Sequence, residues 1–180
     1  MRLFIAINFN DATRAKLIVL RDELRNKADY GKFPASDNLH LTLVFLGESD
    51  AKQTADAKSA MDAVNFAPLI VTIDRIGLFK RHGGDIWWAG VSENKPLLNL
   101  YSDLTNKLAT AGFKLEKQNF SPHVTLGREV TTNEPPREIE PFSETISSIE
   151  LMKSEHIRGK LVYTAIHKRI TDGQIAPLKP

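Results

Sequence analysis

The sequence of 180 residues contains no cysteine. This absence excludes disulfide bonds, thiolate nucleophiles and cysteine-ligated zinc or iron–sulfur centres. The chain also has no HExxH segment and no obvious group of carboxylates, which are the patterns typical of a metal site. A catalytic site in this chain must therefore use other residues, and we expect it to need neither a metal nor a cofactor.

Long apolar runs are missing as well. The opening MRLFIAINFN pairs a basic residue with a short apolar stretch, but Asn8, Asn10 and Asp11 interrupt it before a signal-peptide core is complete. The stretch LIVTIDRIGLF is broken by Asp74 and Arg75, so no membrane span is predicted. We expect a cytoplasmic protein with no membrane partner.

No large excess of one charge is present, since 24 Lys and Arg face 22 Asp and Glu, for a net charge of +2. This balance permits a phosphate-bearing partner but falls short of the strongly basic surface of a protein that coats nucleic acid. With 42% hydrophobic and 26% charged residues, the composition is that of a globular protein. The length suffices for one well-packed domain, or two small lobes sharing a core, and we expect one domain over residues 1–180.

Hydrophobic periodicity predicts that each half of the chain begins with a strand followed by a helix. A strand at 2–9, apolar on both faces, precedes a helix in which Leu17, Leu20 and Leu24 recur at three- and four-residue spacing. After the loop KRHGGD the order begins again, with the strand IWWAGV and a helix that Pro96 opens and Gly112 ends. The other predicted elements are a weaker helix within 48–64, strands at 69–78, 120–128, 145–154 and 161–170, and a loop or flap at 129–142 that contains three prolines.

A histidine stands two residues before a threonine in each half, in NLHLTLVFLG (residues 38–47) and in FSPHVTLGR (residues 120–128). Side chains at i and i+2 of a strand share a face, so His40 lies with Thr42 and His123 with Thr125. Two such pairs arise by chance in about one chain in twenty-five of this composition. The shift of 83 positions that superposes the histidines also lays strand 2–8 on residues 85–91, which indicates a repeated architecture.

Two histidines suit acid–base chemistry at phosphorus. With ordinary pKa values near 6.5, one imidazole can accept a proton while the other donates one near neutral pH. In an in-line displacement, the base activates the nucleophile and the acid protonates the departing oxygen on the opposite side. The threonine hydroxyls can bind the non-bridging oxygens as charge develops there. The residues by themselves leave open which histidine is the acid and which is the base.

Four segments in order, RLFIAI, NLHLTLVFLGE, WWAGV and FSPHVTLGR, resemble the two-histidine (2H) phosphoesterases. The resemblance is to the RNA 2',3'-cyclic phosphodiesterases once called 2'-5' RNA ligases, and it runs from residue 2 to about residue 165. It implies an enzyme that works without a metal ion. It also implies a two-lobed α+β fold with an approximate two-fold axis, in which antiparallel-rich sheets line a central cleft and helices lie outside. It also implies catalytic roles for His40 and His123 and substrate binding by Thr42, Thr125 and Arg128.

The resemblance further implies hydrolysis of 2',3'-cyclic phosphate ends of RNA to 2'-phosphates, with tRNA halves among the possible partners and 2'-5' ligation as a second activity. By analogy, His123 is the base for water and His40 the acid for the 3' oxygen. Arg128 matches the family pattern, yet strand alternation puts it on the face of Val124 and Leu126 unless the strand bulges or ends at Gly127. We expect a monomer.

Several further residues have both a structural and a functional interpretation. The basic loops at 80–82 and 156–160 are either solvated or guide an RNA backbone. Trp87 and Trp88 lie on opposite faces by alternation, so at least one is expected in the core rather than stacked on a base. Phe9 and Phe45 are predicted to be core residues, and His167 to be structural.

Two other functions remain open at this point. One is a 2H enzyme for a small substrate, such as a cyclic phosphate of a nucleotide or of ADP-ribose, or 2'-5'-linked oligoadenylate. The other is a non-catalytic RNA-binding module with the same fold. Because neither motif has lost its histidine or its threonine, we expect catalysis.

Overall fold

The computed structural model describes residues 1–116 and 119–171. Within these ranges the chain forms three helices and nine strands, which confirms the predicted α+β class. The elements are β1 (Arg2–Asn8), α1 (Asp11–Lys27), β2 (Tyr30–Lys32), β3 (His40–Glu48), α2 (Ala51–Asp62), β4 (Leu69–Phe79), β5 (Asp85–Val91), α3 (Lys95–Thr110), β6 (His123–Thr131), β7 (Arg137–Ile146), β8 (Ser148–Ile157) and β9 (Lys160–Ile170). None of the three helices has the length and apolar composition that crossing a bilayer requires.

Side-chain caps fix where the helices begin. The carboxamide of Asn10 accepts a hydrogen bond from the Thr13 amide at the start of α1, and Asn94 does the same for Leu97 in α3. At α2, Asp50 and Gln53 form a reciprocal capping box. Helix α3 thus begins at Lys95, one residue before Pro96, at which the sequence predicted its start.

All strand pairs are antiparallel, and the strands follow the order β7-β4-β5-β6-β3-β1-β8-β9, with β2 attached to β6. The order is symmetric about the junction of β6 and β3. We call β1, β3, β8 and β9 the His40 lobe, and β4 to β7 the His123 lobe. One ladder pair in the described ranges joins β3 to β6, and it links Leu41 to Val124, which are themselves 83 positions apart.

The helices cover one face of this sheet. The main core joins helical residues such as Leu17 and Leu104 to Leu41 and Val124 of the two central strands. A smaller buried cluster lies on the opposite face, where Phe4, Ala6 and Met152 pack together with the half-buried Tyr163. Because β1 is buried on both faces, its run of apolar residues is explained.

The prediction of a loop over residues 129–142 is wrong. Strand β6 continues to Thr131, and β7 begins at Arg137. The prolines misled the prediction because proline is excluded from central strands but tolerated in edge strands. Strand β7 pairs on one side only, with β4, so Pro141 fits within it. The short strand β2 was not predicted either.

The prediction that Phe45 is a core residue is also wrong, because its side chain is 64% exposed. In the ladder between β1 and β3, Ile5 pairs with Val44 and Ala6 with Thr42, so β3 carries one extra residue at Leu43. This bulge buries Leu43 and Val44 side by side and turns Phe45 to the opposite face. Phe9, by contrast, is buried as predicted.

Candidate active site

His40 and His123 are the first residues of the two central strands, on the face opposite the helices, which we call the histidine face. Nδ1 of His40 donates to the Asn38 carbonyl at 2.7 Å, and Nδ1 of His123 donates to the Ser121 carbonyl at 2.6 Å. A carbonyl oxygen only accepts hydrogen bonds, so each Nδ1 carries a proton. Each neutral ring therefore presents the lone pair of Nε2, which in His40 lies 2.9 Å from Thr42 Oγ1.

Aromatic rings enclose both imidazoles. His40 contacts Phe4 and Tyr163, with ring centroids 4.9 and 5.2 Å away. His123 contacts Phe79 and Trp88 at 5.2 and 6.2 Å. The two lobes thus surround their histidines in the same way, with one edge-on ring and one tilted ring each.

This enclosure lowers the basicity of both imidazoles. Burial lowers the pKa of His40 to about 4, against the opposing effect of its bond to the Asn38 carbonyl, and the charges of Arg128 and His123 lower it further. Burial also lowers the pKa of His123, again opposed by a carbonyl bond, to Ser121, and assisted by Arg128. Both rings are therefore neutral at pH 7 in the free protein, and the effect of the His123 charge on the pKa of His40 indicates that the two imidazoles lie near each other.

Arg128 lies on the histidine face. In the ladder between β5 and β6, Trp88 pairs with Thr125 and Trp87 with Gly127, so β6 carries one extra residue at Leu126. This bulge reverses the alternation that would have placed Arg128 with Val124 and Leu126. Its charge lowers the pKa values of His40 and His123. It also opposes the rise that burial causes in the pKa of Tyr163.

The two tryptophans lie on opposite faces of β5, as predicted. Trp87 is buried in the main core, whereas Trp88 lies on the histidine face beside His123. A β-carbon added at Gly77 or Gly90 would overlap the Trp88 ring, so these two glycines leave the space in which the indole lies against the sheet. The His123 lobe therefore has a closed, apolar floor.

The other candidate residues lie elsewhere. His167 Nε2 is 2.7 Å from Asp62 Oδ1, a contact that fastens β9 to the end of α2 and agrees with a structural role. In the 80–82 loop, Lys80 and the Arg81 amide bind Asp85. In the other basic segment, Arg158 and Gly159 form the tight turn between β8 and β9, with φ of 52° and 77°. Within the described ranges, no group of His, Asp and Glu side chains is arranged to hold a metal ion.

Four residues at the site were not identified from the sequence, namely Phe4, Phe45, Phe79 and Tyr163. Tyr163 reaches it from β9, far along the chain from His40, and no local pattern marks it. Phe45 carried a usable signal, because the 83-residue shift places it on Arg128.

A family model described as the 2'-5' RNA ligase superfamily matches residues 12–157. The chain belongs to this superfamily. The resemblance to 2H phosphoesterases drawn from the sequence is thereby confirmed. Two relatives of this superfamily member are named RNA 2',3'-cyclic phosphodiesterase. The protein of Archaeoglobus fulgidus is 33% identical over 129 residues, which cover 71% of this chain and 72% of its own. The protein of Escherichia coli K12 is 29% identical over 171 residues, covering 93% and 94%.

Solved structures have the same fold. The crystal structure of E. coli LigT complexed with 3'-AMP superposes with a TM-score of 0.81 at 27% identity, covering 96% of this chain and 98% of LigT. A Thermus thermophilus protein gives 0.84 at 25% identity, covering 97% and 100%. The two-lobed 2H phosphoesterase fold implied by the sequence motifs is therefore confirmed for this superfamily member.

Proposed function

We propose that this superfamily member hydrolyses 2',3'-cyclic phosphate ends of RNA to 2'-phosphates without a metal ion. The observation that carries the proposal is the matched setting of His40 and His123, each with Nδ1 tied to a carbonyl and Nε2 directed at a common space beside Arg128. The printed names of the A. fulgidus and E. coli relatives support the substrate class.

The reaction follows from this arrangement. Water attacks phosphorus opposite the bond to O3', and the Nε2 of one histidine takes the water proton. The P–O3' bond breaks, the other histidine gives its proton to O3', and a 2'-phosphate with a free 3'-hydroxyl results. Arg128, Thr42 and Thr125 hold the non-bridging oxygens, and each acid or base role is typically worth about 10²–10⁴ in rate.

The difference between the lobes supports His40 as the acid and His123 as the base. The exposed Phe45 ring offers a stacking surface for the nucleobase in the His40 lobe, whereas Arg128 extends from β6 of the His123 lobe. With the nucleoside over the His40 lobe, O3' lies nearer His40, and water enters from the side of His123. The negative phosphate favours the charged imidazole, so substrate binding raises the pKa of His40 and lets it carry the proton that O3' needs.

Ligation uses the same steps. If the 5'-hydroxyl of a second RNA replaces water as the nucleophile, the same displacement yields a 2'-5' phosphodiester. The proposal therefore includes this activity, with tRNA halves as possible partners. Since the main core contains residues of both lobes, we also propose one domain over residues 1–180, acting as a cytoplasmic monomer.

The decisive experiment incubates the EDTA-treated protein with an RNA oligomer that ends in a 2',3'-cyclic phosphate. The product is identified by mass and by phosphatase sensitivity. We expect a 2'-phosphate from the wild type and turnover lower by several orders of magnitude in His40→Ala and His123→Ala, with nearly unchanged thermal midpoints. His167→Ala, which removes a histidine outside the site, serves as the matched control. If the folded wild type leaves the RNA end intact, the proposal fails in favour of a small cyclic nucleotide substrate or of binding alone.

A further inference from the structure

A cavity of about 520 Å³ lies between β1, β8 and β9 of the His40 lobe and the end of β7, beside the proposed catalytic site. Asn8, which lines the cavity, is the ladder partner of His40 on β1. Tyr163 lines it as well and contacts the His40 ring. The cavity therefore opens next to the place where the cyclic phosphate reacts, and its volume lies within the range of small-molecule sites.

The His123 lobe is filled at the corresponding place. Trp88 pairs with Thr125 there, and its indole covers the sheet. In the His40 lobe the residue that pairs with Thr42 is the small Ala6, and the next residue across the sheet is Glu150, which lines the cavity. An RNA chain that extends away from the phosphate thus has room on the side of His40.

The polar groups of the cavity divide into paired and free ones. Glu150 is engaged, because it accepts from Asn8 and lies 3.2 Å from Lys168 Nζ. Asp37 and the Tyr163 hydroxyl make no hydrogen bond or ion pair to any other residue in 1–116 and 119–171. These two groups are free to bind a ligand: the carboxylate accepts hydrogen bonds, and the neutral phenol donates one.

The charges of the lining select the kind of ligand. Three carboxylates line the cavity, those of Asp37, Glu144 and Glu150, against the two cations Arg14 and Lys168. A lining that leans negative disfavours a phosphate inside the cavity. It favours neutral groups that donate hydrogen bonds, such as ribose hydroxyls and the amino groups of a nucleobase.

We propose, on the basis of the function proposed above, that this cavity is the subsite for the nucleoside that precedes the cyclic-phosphate nucleotide in the RNA chain. The base and ribose of that nucleoside enter the cavity, with Asp37 as an acceptor and Tyr163 at the entrance. The phosphodiester that joins the two nucleotides stays at the mouth, toward solvent. The enzyme thereby recognises an RNA end as a chain rather than as a mononucleotide.

The test compares adenosine 2',3'-cyclic phosphate with the dinucleotide ApA that ends in a 2',3'-cyclic phosphate. We expect the wild-type kcat/KM to be about tenfold or more higher for the dinucleotide. Ala165 lines the cavity on the exposed strand β9, so Ala165→Trp fills the cavity and reduces this ratio toward one. Thr164→Trp adds the same bulk at the neighbouring exposed position, outside the cavity lining, and keeps the wild-type ratio.

A second variant, Asp37→Ala, removes the free acceptor from an exposed position and lowers the ratio without filling the cavity. Equal kcat/KM values for the two substrates in the wild type overturn the subsite, as does an Ala165→Trp protein that folds and retains the full preference. Opening of both substrates at one rate leaves the proposed catalysis intact, whereas opening of the mononucleotide alone rejects the RNA end as the substrate. Failure to open either substrate rejects the proposed function itself.

Discussion

Phe45 and Arg128 occupy equivalent positions in the two lobes, each five residues after its histidine and each turned to the histidine face by a bulge. The two lobes thus have the same backbone bulge at the position where their side chains differ in chemistry. An apolar ring on one side and a cation on the other match a nucleotide, which has a base at one end and a phosphate at the other.

Phe45→Ala tests the stacking surface. Because Phe45 is 64% exposed, its truncation is expected to change the free energy of unfolding by no more than about 0.5 kcal/mol, while KM for a cyclic-phosphate RNA end rises. Phe9→Ala is the contrasting variant, since Phe9 is 4% exposed and its loss costs about 3–5 kcal/mol. Urea unfolding and initial rates measure both effects. An unchanged KM in Phe45→Ala argues against base stacking at this ring.

Arg128→Gln tests whether this guanidinium acts on both histidines. Its charge lowers the pKa of His40 and that of His123, so its removal is expected to raise both values. Titration of the imidazole protons by NMR gives the two pKa values directly. The lost charged hydrogen bond is also expected to reduce kcat/KM about 10- to 100-fold, and Arg128→Lys to restore part of that loss. Two unmoved titration curves contradict the placement of Arg128.

The pH dependence of catalysis is expected to differ between kcat/KM and kcat. Burial lowers both histidine pKa values below 6.5 in the free protein, so kcat/KM is expected to begin its fall with rising pH below pH 6.5, where the last imidazole proton is lost. The bound phosphate favours an imidazolium ion, which moves the alkaline limb of kcat to higher pH. Steady-state rates from about pH 4 to pH 9 separate the two profiles. Coincident alkaline limbs are incompatible with this account.

Acid is expected to destabilise the protein through His40. The pKa of His40 is about 4 in the folded state, below its ordinary value of 6.5, so the unfolded chain binds more protons between these values. Stability is therefore unaffected by this group above pH 6.5 and is lost as the pH falls toward 4. We expect the wild type to lose about 1–2 kcal/mol more than His40→Gln between pH 7.5 and pH 5, measured by urea unfolding. Equal losses in the two proteins would show that His40 titrates normally.

Much of the fold was accessible from the sequence because its cues are local. Periodicity placed the helices and most strands, and the side-chain alternation of β3 and β6 placed each histidine beside its threonine. The prediction from alternation failed beyond Thr42 and beyond Thr125, because each strand contains a bulge of one extra residue there. No residue type in the sequence marks these bulges. The repeat contained a further cue, because Phe45 and Arg128 occupy equivalent positions in the two lobes and therefore point to the same face.

Long-range contacts account for what was missed in the site. Tyr163 reaches His40 because β8 pairs with β1 and β9 with β8, and the side chain of Asn38 binds the Leu161 carbonyl near the start of β9. The paired residues of β1 and β8, like Asn38 and Leu161, are more than a hundred residues apart in the chain. The cavity depends on the same assembly, so no segment of the sequence shows it.

The ladder pair between Leu41 and Val124, the one that joins β3 to β6 in the part of the chain that the structure describes, connects the two lobes of the sheet. His40 and His123, the proposed acid and base, each precede one member of this pair, and each is carried by a different lobe. The pair is thus a narrow seam, and a small shear or twist along it changes the separation of acid and base while both lobes keep their hydrogen bonding.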